Sequence, residues 1–314
     1  MPPAIVDVHS HFMPPAVAQK TAFFKAGWSD IDRHLSLMDD CGIAQSVLLY
    51  PTSDAHIQMN GWRNVCAEYN PAIANIVKAH KDRFFGAGIL PFDEPKLFAQ
   101  ELKRIQDFDF TVISLASSYE GIYLDDDRFH QIFEFAGKNN MVIHVHSQIL
   151  NPIGEERVRD PLLSPVLEYV FDVSMCLGKM MMSGTFLAYP NVKFIFAHYG
   201  GVLPLVKERF DNTYQMLRSR GFVKDLGKLP SEYFKNLYFD TSGSKSLASL
   251  NAALEITDVG HILYGSDFPA NQSVAASIDV VQKAGSDNRA MARILSENSR
   301  ALFSRKARQP IAEF

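Results

Sequence analysis

The chain has 314 residues, 47% of them hydrophobic and 21% charged, with a formal net charge of −4. That length can bury a large core, and the slightly acidic balance excludes the electrostatic footprint of a nucleic-acid binder. No run approaches the roughly 18 apolar residues of a membrane span, and no signal-peptide pattern opens the chain. Cys41, Cys66 and Cys176 are odd in number and widely spaced, which reads as core thiols in a reducing compartment and sets the cytoplasm as the expected location.

The first apolar run, IVDVHSHF (residues 5–12), carries Asp7, His9 and His11 at alternate positions. A regular strand projects all three from one face. Buried imidazoles need partners, because an unsatisfied buried polar group costs roughly 1–3 kcal/mol. Two histidines at i and i+2 near a strand end are close enough to share an ion. Residues 30–41, DIDRHLSLMDDC, then place Ile31, Leu35 and Met38 at helical spacing, with Ser29 as the expected N-cap and Gly42 as the C-terminal stop.

Further apolar runs follow in turn: QSVLLYP, FFGAGILP, FTVISLAS, MVIHVHS, VKFIFAHYG, LYFDTSG and HILYGSDFP. Helical spacing falls between them over 62–82, 125–139, 203–218 and 246–257, and again over 287–304, where Met291, Ile294, Leu295 and Leu302 share a face. Residues 148–190 form the longest connection, which predicts a loop over one end of the sheet as well as a helix. Eight strands alternating with helices point to a closed (β/α)8 TIM barrel of α/β class, with residues 1–314 as one domain. A doubly wound open sheet is the alternative, but no glycine-rich phosphate loop follows the first strand.

Reactive side chains of such barrels gather at the C-terminal strand ends. The strand ends here are His9 and His11 on the first, His146 on the fifth, His198 on the sixth and Asp267 on the eighth. Imidazoles with a single carboxylate suit Zn²⁺, whereas Ca²⁺ and Mg²⁺ call for oxygen ligands. His144 shares a strand face with His146 and competes with it, but lies about 6.5 Å deeper and reads as an interior hydrogen-bonded residue. Asp7 reads as an anchor below His9, and Asp240 as a support facing the mouth. His80 reads as a helix-end residue, Met180, Met181 and Met182 as helix packing, and His34, His56, His130 and His261 as surface or cap residues.

The segments DVHSHF, AHKDRFFGAGILPF, YLDDDRFHQIFEFAGKNNMVIHVH, NVKFIFAHYGG, PSEYFKNLYFDTSG and ILYGSDFP resemble the amidohydrolase superfamily, in the branch of aminocarboxymuconate-semialdehyde decarboxylase. The resemblance implies His9, His11, His146 and Asp267 as metal ligands. It places His198 beside metal and substrate as an acid–base group, with Asp267 as a second proton carrier. Binuclear members bridge two metals with a modified lysine ending strand four; DFTVISLAS has no lysine, which implies one ion per chain, Zn²⁺ or alternatively Mn²⁺. The implied reaction is non-oxidative decarboxylation of a small aromatic or unsaturated carboxylate. Hydrolysis of a lactone, an ester or a carbon–carbon bond beside a ketone is the alternative. The expected partner is that small carboxylate, with a homodimer common in the branch and neither nucleic acid nor membrane involved. The loop 13–29 has no arginine before Arg33, so Arg63, Arg157, Arg159, Lys20 and Lys25 are the candidates for anchoring the substrate carboxylate.

Overall fold

In a computed structural model, residues 4–24, 26–153, 162–284 and 288–304 are described. Each apolar run becomes a strand: β1 Ile5–His11, β2 Ile43–Leu49, β3 Phe84–Gly88, β4 Val112–Ala116, β5 Val142–His146, β6 Lys193–Phe196, β7 Tyr238–Asp240 and β8 Ile262–Leu263. They form one eight-stranded parallel sheet in sequence order. Helices follow the strands in turn: α1 Ile31–Cys41, α2 Trp62–Ala79, α3 Phe98–Asp107, α4 His130–Asn139, α5 Tyr169–Ser183, α6 Leu203–Ser219, α7 Leu247–Leu254 and α8 Val274–Ala284. A two-stranded hairpin, Ser118–Tyr119 against Ile122–Tyr123, sits just beyond β4.

The last strand meets the first through backbone bonds outside the regular ladder. Val8 N–H donates to Tyr264 O at 2.9 Å, Asp267 N–H to His9 O at 2.8 Å and His11 N–H to Phe268 O at 2.7 Å. These contacts bring the sheet round into a nearly closed barrel. Inside it, Val8, Val47, Leu49, Ala87, Val112, Val142, Ile195 and Leu263 pack as one small apolar cluster with Phe303 from the C-terminal helical segment. The larger apolar layer lies between strands and helices, as expected of a sheet whose two faces are both covered.

Several details differ from the sequence expectations. β1 does not alternate regularly: Asp7 pairs with Ser46 but Ser10 with Leu48, so three steps of β1 oppose two of β2. Val8 and His9 are adjacent, yet Val8 joins the inner cluster while His9 bonds Asp240 inside the barrel. Placing neighbouring side chains on one side of a sheet is what a bulge does. β8 ladders over only Ile262–Leu263, so Asp267 lies in the loop beyond it. His198 likewise falls two residues past β6. The α1 cap is Asp30, which accepts from Arg33 N–H at 2.9 Å, while the Ser29 hydroxyl donates to Met13 O.

His34 is buried, not a surface or cap residue: its ring packs edge-on against Phe84 and Phe268, and burial pushes its pKa down to about 3. The predicted helix 287–304 is interrupted by a wider turn over Arg293–Glu297; residue 287 lies outside the described residues. No helix is long and apolar enough to cross a membrane among the described residues.

Candidate metal centre

β1, β5, the turn after β6, β7 and the loop after β8 deliver their polar residues to one end of the barrel. His9, His11, His146 and Asp267 each offer a donor atom, and these atoms all lie within 4.8 Å of one another. His9 Nε2 stands 3.0 Å from His11 Nε2, and Asp267 Oδ1 is 3.2 Å from His11 Nε2 and 3.5 Å from His9 Nε2. Two imidazole nitrogens facing each other at that distance repel unless a proton or a cation lies between them. Nitrogens that share a divalent ion at about 2.1 Å each stand roughly 3–3.4 Å apart. The donor set and its spacing therefore fit a divalent metal.

The tautomers can be assigned from hydrogen-bond capacity. Asp240, wholly buried, gathers five donors: His9 Nδ1–H and His144 Nε2–H at 2.9 Å on Oδ2, and the Ser242 amide, the His198 amide and the Ser242 hydroxyl on Oδ1. His9 thus keeps its proton on Nδ1 and turns Nε2 to the cluster. His146 does the same by donating Nδ1–H to Ser147 O at 2.9 Å. Such bonds to the far nitrogen fix the orientation of a metal-binding ring. A second grouping of His9, His144 and Asp240 also meets the distance condition. Its contacts are two 2.9 Å hydrogen bonds from imidazoles to one carboxylate oxygen, the geometry of a support beneath the cluster. His144 is the interior residue that its depth in the strand predicts.

Burial dominates the electrostatics, and its effect depends on the partner. Burial opposes the charge of Asp240, but His9 and His144 hold its pKa well below the carboxylate range. Burial also opposes the charge of His9, yet Asp240, Asp267 and Asp7 raise it to about 9. His144 is pushed down to about 4, and His146 and His11 are also lowered, chiefly by burial. Asp267 stays below its ordinary value because the bond from His11 and the charge of His9 outweigh burial. Asp7 is raised to about 6 by burial, against bonds from the Ser266 hydroxyl and amide and the His9 amide. It therefore anchors β1 to the β8 loop.

His198 stands beside the cluster, its ring centroid 5.5 Å from those of His9 and His146. His198, Tyr199 and Asp267 all have positive φ, at 55°, 57° and 61°. A left-handed conformation is costly for side chains with a Cβ and is concentrated at functional sites. All five residues singled out at the strand ends are thus brought together. The anchor candidates are not: Arg63 and Lys20 are exposed and absent from this hydrogen-bond network. Lys25, Arg157 and Arg159 lie outside the described residues.

Two further residues of the site, Ser242 and Trp28, have no distinctive local sequence signal. Ser242 is marked only by its place in FDTSG. Trp28, in the loop after β1, stands 5.9 Å from the His11 ring and packs edge-on against Phe24.

The family model described as Amidohydrolase matches residues 6–305, and the chain belongs to that family. The 6-methylsalicylic acid decarboxylase of Penicillium expansum is 26% identical over 287 residues, covering 85% of each chain. The 2-amino-3-carboxymuconate-6-semialdehyde decarboxylase of Dictyostelium discoideum is 25% identical, covering 84% of this chain and 81% of that one. Among solved structures, 5-carboxyvanillate decarboxylase from Novosphingobium aromaticivorans superposes with a TM-score of 0.82 at 18% identity, covering 95% of both chains. That enzyme was crystallised with manganese and 4-hydroxy-3-methoxy-5-nitrobenzoic acid.

The Asp240 hub yields a direct stability test. Asp240→Asn should lower the unfolding free energy of the metal-free protein by about 3–5 kcal/mol, the range for breaking a buried ion pair from one side. Urea denaturation measures it; a change under 1 kcal/mol, within surface-pair range, would contradict the hub.

Proposed function

We propose that this chain is a metal-dependent, non-oxidative decarboxylase of a small aromatic carboxylate. The observation that carries this reading is the convergence of His9, His11, His146 and Asp267 around one point, with His198 alongside. Relatives at 25–26% identity that are named as decarboxylases support the reaction class. Trp28 beside His11, backed by the buried Phe24, gives an aromatic face against which a flat ring can stack.

His9, His11, His146 and Asp267 are the proposed ligands of a single divalent ion. Three imidazoles and one carboxylate favour zinc; the manganese in the structural neighbour makes Mn²⁺ the second candidate. When bound, the ion would supply a fixed positive charge that holds a substrate oxygen and stabilises negative charge on it. In the reaction, a proton is added at the ring carbon bearing the carboxylate. The bond to the carboxyl carbon then breaks, its electron pair restores the aromatic ring, and CO₂ leaves. Asp267, with its side chain 16% exposed, reaches both the cluster and the mouth. It takes a proton from solvent at the mouth and passes it to the ring carbon, and His198 Nε2 takes up or returns a proton on the substrate. The three free cysteines, two of them buried, fit a reducing compartment such as the cytoplasm.

The metal assignment predicts about one tight divalent ion per chain by elemental analysis. His9→Ala or Asp267→Ala should abolish most of it, whereas His144→Ala should keep it; two ions per chain would refute the assignment.

Proton competition gives a second check. In the metal-free protein His9 holds its extra proton up to about pH 9, and metal needs that lone pair. One proton should leave per ion bound, so apparent affinity should rise about tenfold per pH unit through neutrality and level off near pH 9. Metal titrations across pH 6–9 that give a flat affinity would contradict it.

Activity is tested by screening metal-loaded protein against hydroxybenzoates, muconate semialdehydes, lactones and ketone-bearing meta-cleavage products, with CO₂ release and hydrolysis followed in parallel. CO₂ release from an aromatic acid is expected. His198→Asn should keep the metal and lower kcat/KM by about 10²–10⁴. Hydrolysis without CO₂ would overturn the decarboxylase reading.

A further inference from the structure

The ring of His198 is useful as an acid–base group only if one particular nitrogen faces the cluster with the right proton state. The hydrogen bonds around Ser242 decide which. A serine hydroxyl has one hydrogen to donate and two lone pairs to accept with. Ser242 Oγ has three partners: Asp240 Oδ1, the His198 backbone N–H at 3.3 Å and His198 Nδ1 at 2.9 Å. Asp240 is held ionised by its contacts with His9 and His144, so it can only accept. The single hydroxyl hydrogen must therefore point at Asp240. The backbone N–H fills one lone pair, and the other can be filled only if His198 carries its proton on Nδ1.

We propose that Ser242 is a positioning residue that fixes His198 in the Nδ1–H tautomer and so leaves Nε2 as the unprotonated, reactive nitrogen. It does so by relaying the charge of Asp240, which also orients His9. One carboxylate thus sets the proton positions of a metal-cluster imidazole and of the acid–base imidazole together. The next residue in the chain completes the device. Gly243 has φ +74°, and a Cβ there would stand 2.7 Å from His198 Nδ1. Glycine lets the loop close against this side of the ring, where the Ser242 hydroxyl stands 2.9 Å from Nδ1. The left-handed backbone of His198 is held in turn by its amide bonds to Asp240 and Ser242.

The inference deepens the decarboxylase reading for its kinetic part, while its spectroscopic part stands without it. The test uses full-length zinc-loaded protein labelled with ¹⁵N-histidine, in wild-type, Ser242→Ala and Ser242→Thr forms, with His198→Asn to assign the resonance. At pH 8, where neutral imidazole prevails, wild-type His198 should show a protonated Nδ1 and a bare Nε2. Ser242→Ala should lose that signature, keep its metal, and lower kcat about 10–100-fold with KM little changed. Ser242→Thr retains the hydroxyl and should restore both the signature and most of kcat. A wild-type His198 protonated on Nε2, or a Ser242→Ala variant with unchanged spectrum and kcat, would overturn the proposal. Equal loss in the Ala and Thr variants, with a lowered melting temperature in both, would also overturn it by making Ser242 a packing residue. If wild-type protein releases no CO₂ from any carboxylate, the decarboxylase reading fails while the ¹⁵N signature still decides the tautomer.

Discussion

The buried carboxylate of Asp240 is the point on which the site depends. An ionised carboxylate removed from water carries a large desolvation cost, which is offset only by close opposite charge and saturated hydrogen bonding. Asp240 achieves both, with two imidazoles on one oxygen and two amides and a hydroxyl on the other. Those donors come from β1, β5, the turn after β6 and the turn after β7 itself. Four parts of the barrel are therefore tied to one charge at the level where the cluster sits.

The backbone supplies what the side chains could not. In a regular β1, Val8 and His9 would face opposite ways; the bulge between Asp7 and Ser10 lets one fill the inner cluster while the other enters the site. Asp267 is outside any ladder, yet its amide bond to His9 O places its carboxylate beside the two β1 histidines. Its positive φ, like that of His198 and Tyr199, is a conformation the surrounding bonds must hold in place. The barrel closes and the site is built by the same few residues, because the β8–β1 seam runs through the cluster.

The chemistry follows from proton placement more than from residue type. His9, His146 and His198 each have an acceptor at Nδ1: a carboxylate, a backbone carbonyl and a hydroxyl. Each thereby leaves Nε2 for the site, where the His9 nitrogen gives up its extra proton when an ion binds. His144, two residues below His146, is turned the other way and spends Nε2 on Asp240. Two histidines on one strand face thereby take opposite tautomers and different tasks. After β1, Trp28 stands beside His11 and packs edge-on against Phe24.

Much of this was legible in the sequence. Apolar runs of strand length with helical spacing between them specify a parallel barrel, because period-2 and period-3.6 patterns are local properties of the chain. HSH, the histidines of VIHVH and FIFAH, and the aspartate of GSDFP mark one mouth, since a parallel barrel sends every strand's C-terminal end the same way. Local pattern could not show the β1 bulge, which depends on register against β2, nor the burial of His34, which depends on what α1 packs against. It could not rank Asp240 above Asp7, nor single out Ser242. Their roles arise from contacts across 42 to 231 positions of sequence, such as His198 N with Asp240 and His9 with Asp240. Residue type and local spacing determined which groups could do chemistry; the closed barrel decided which atoms face one another, because hydrogen-bond partners that far apart in the chain meet only when the strands are in register.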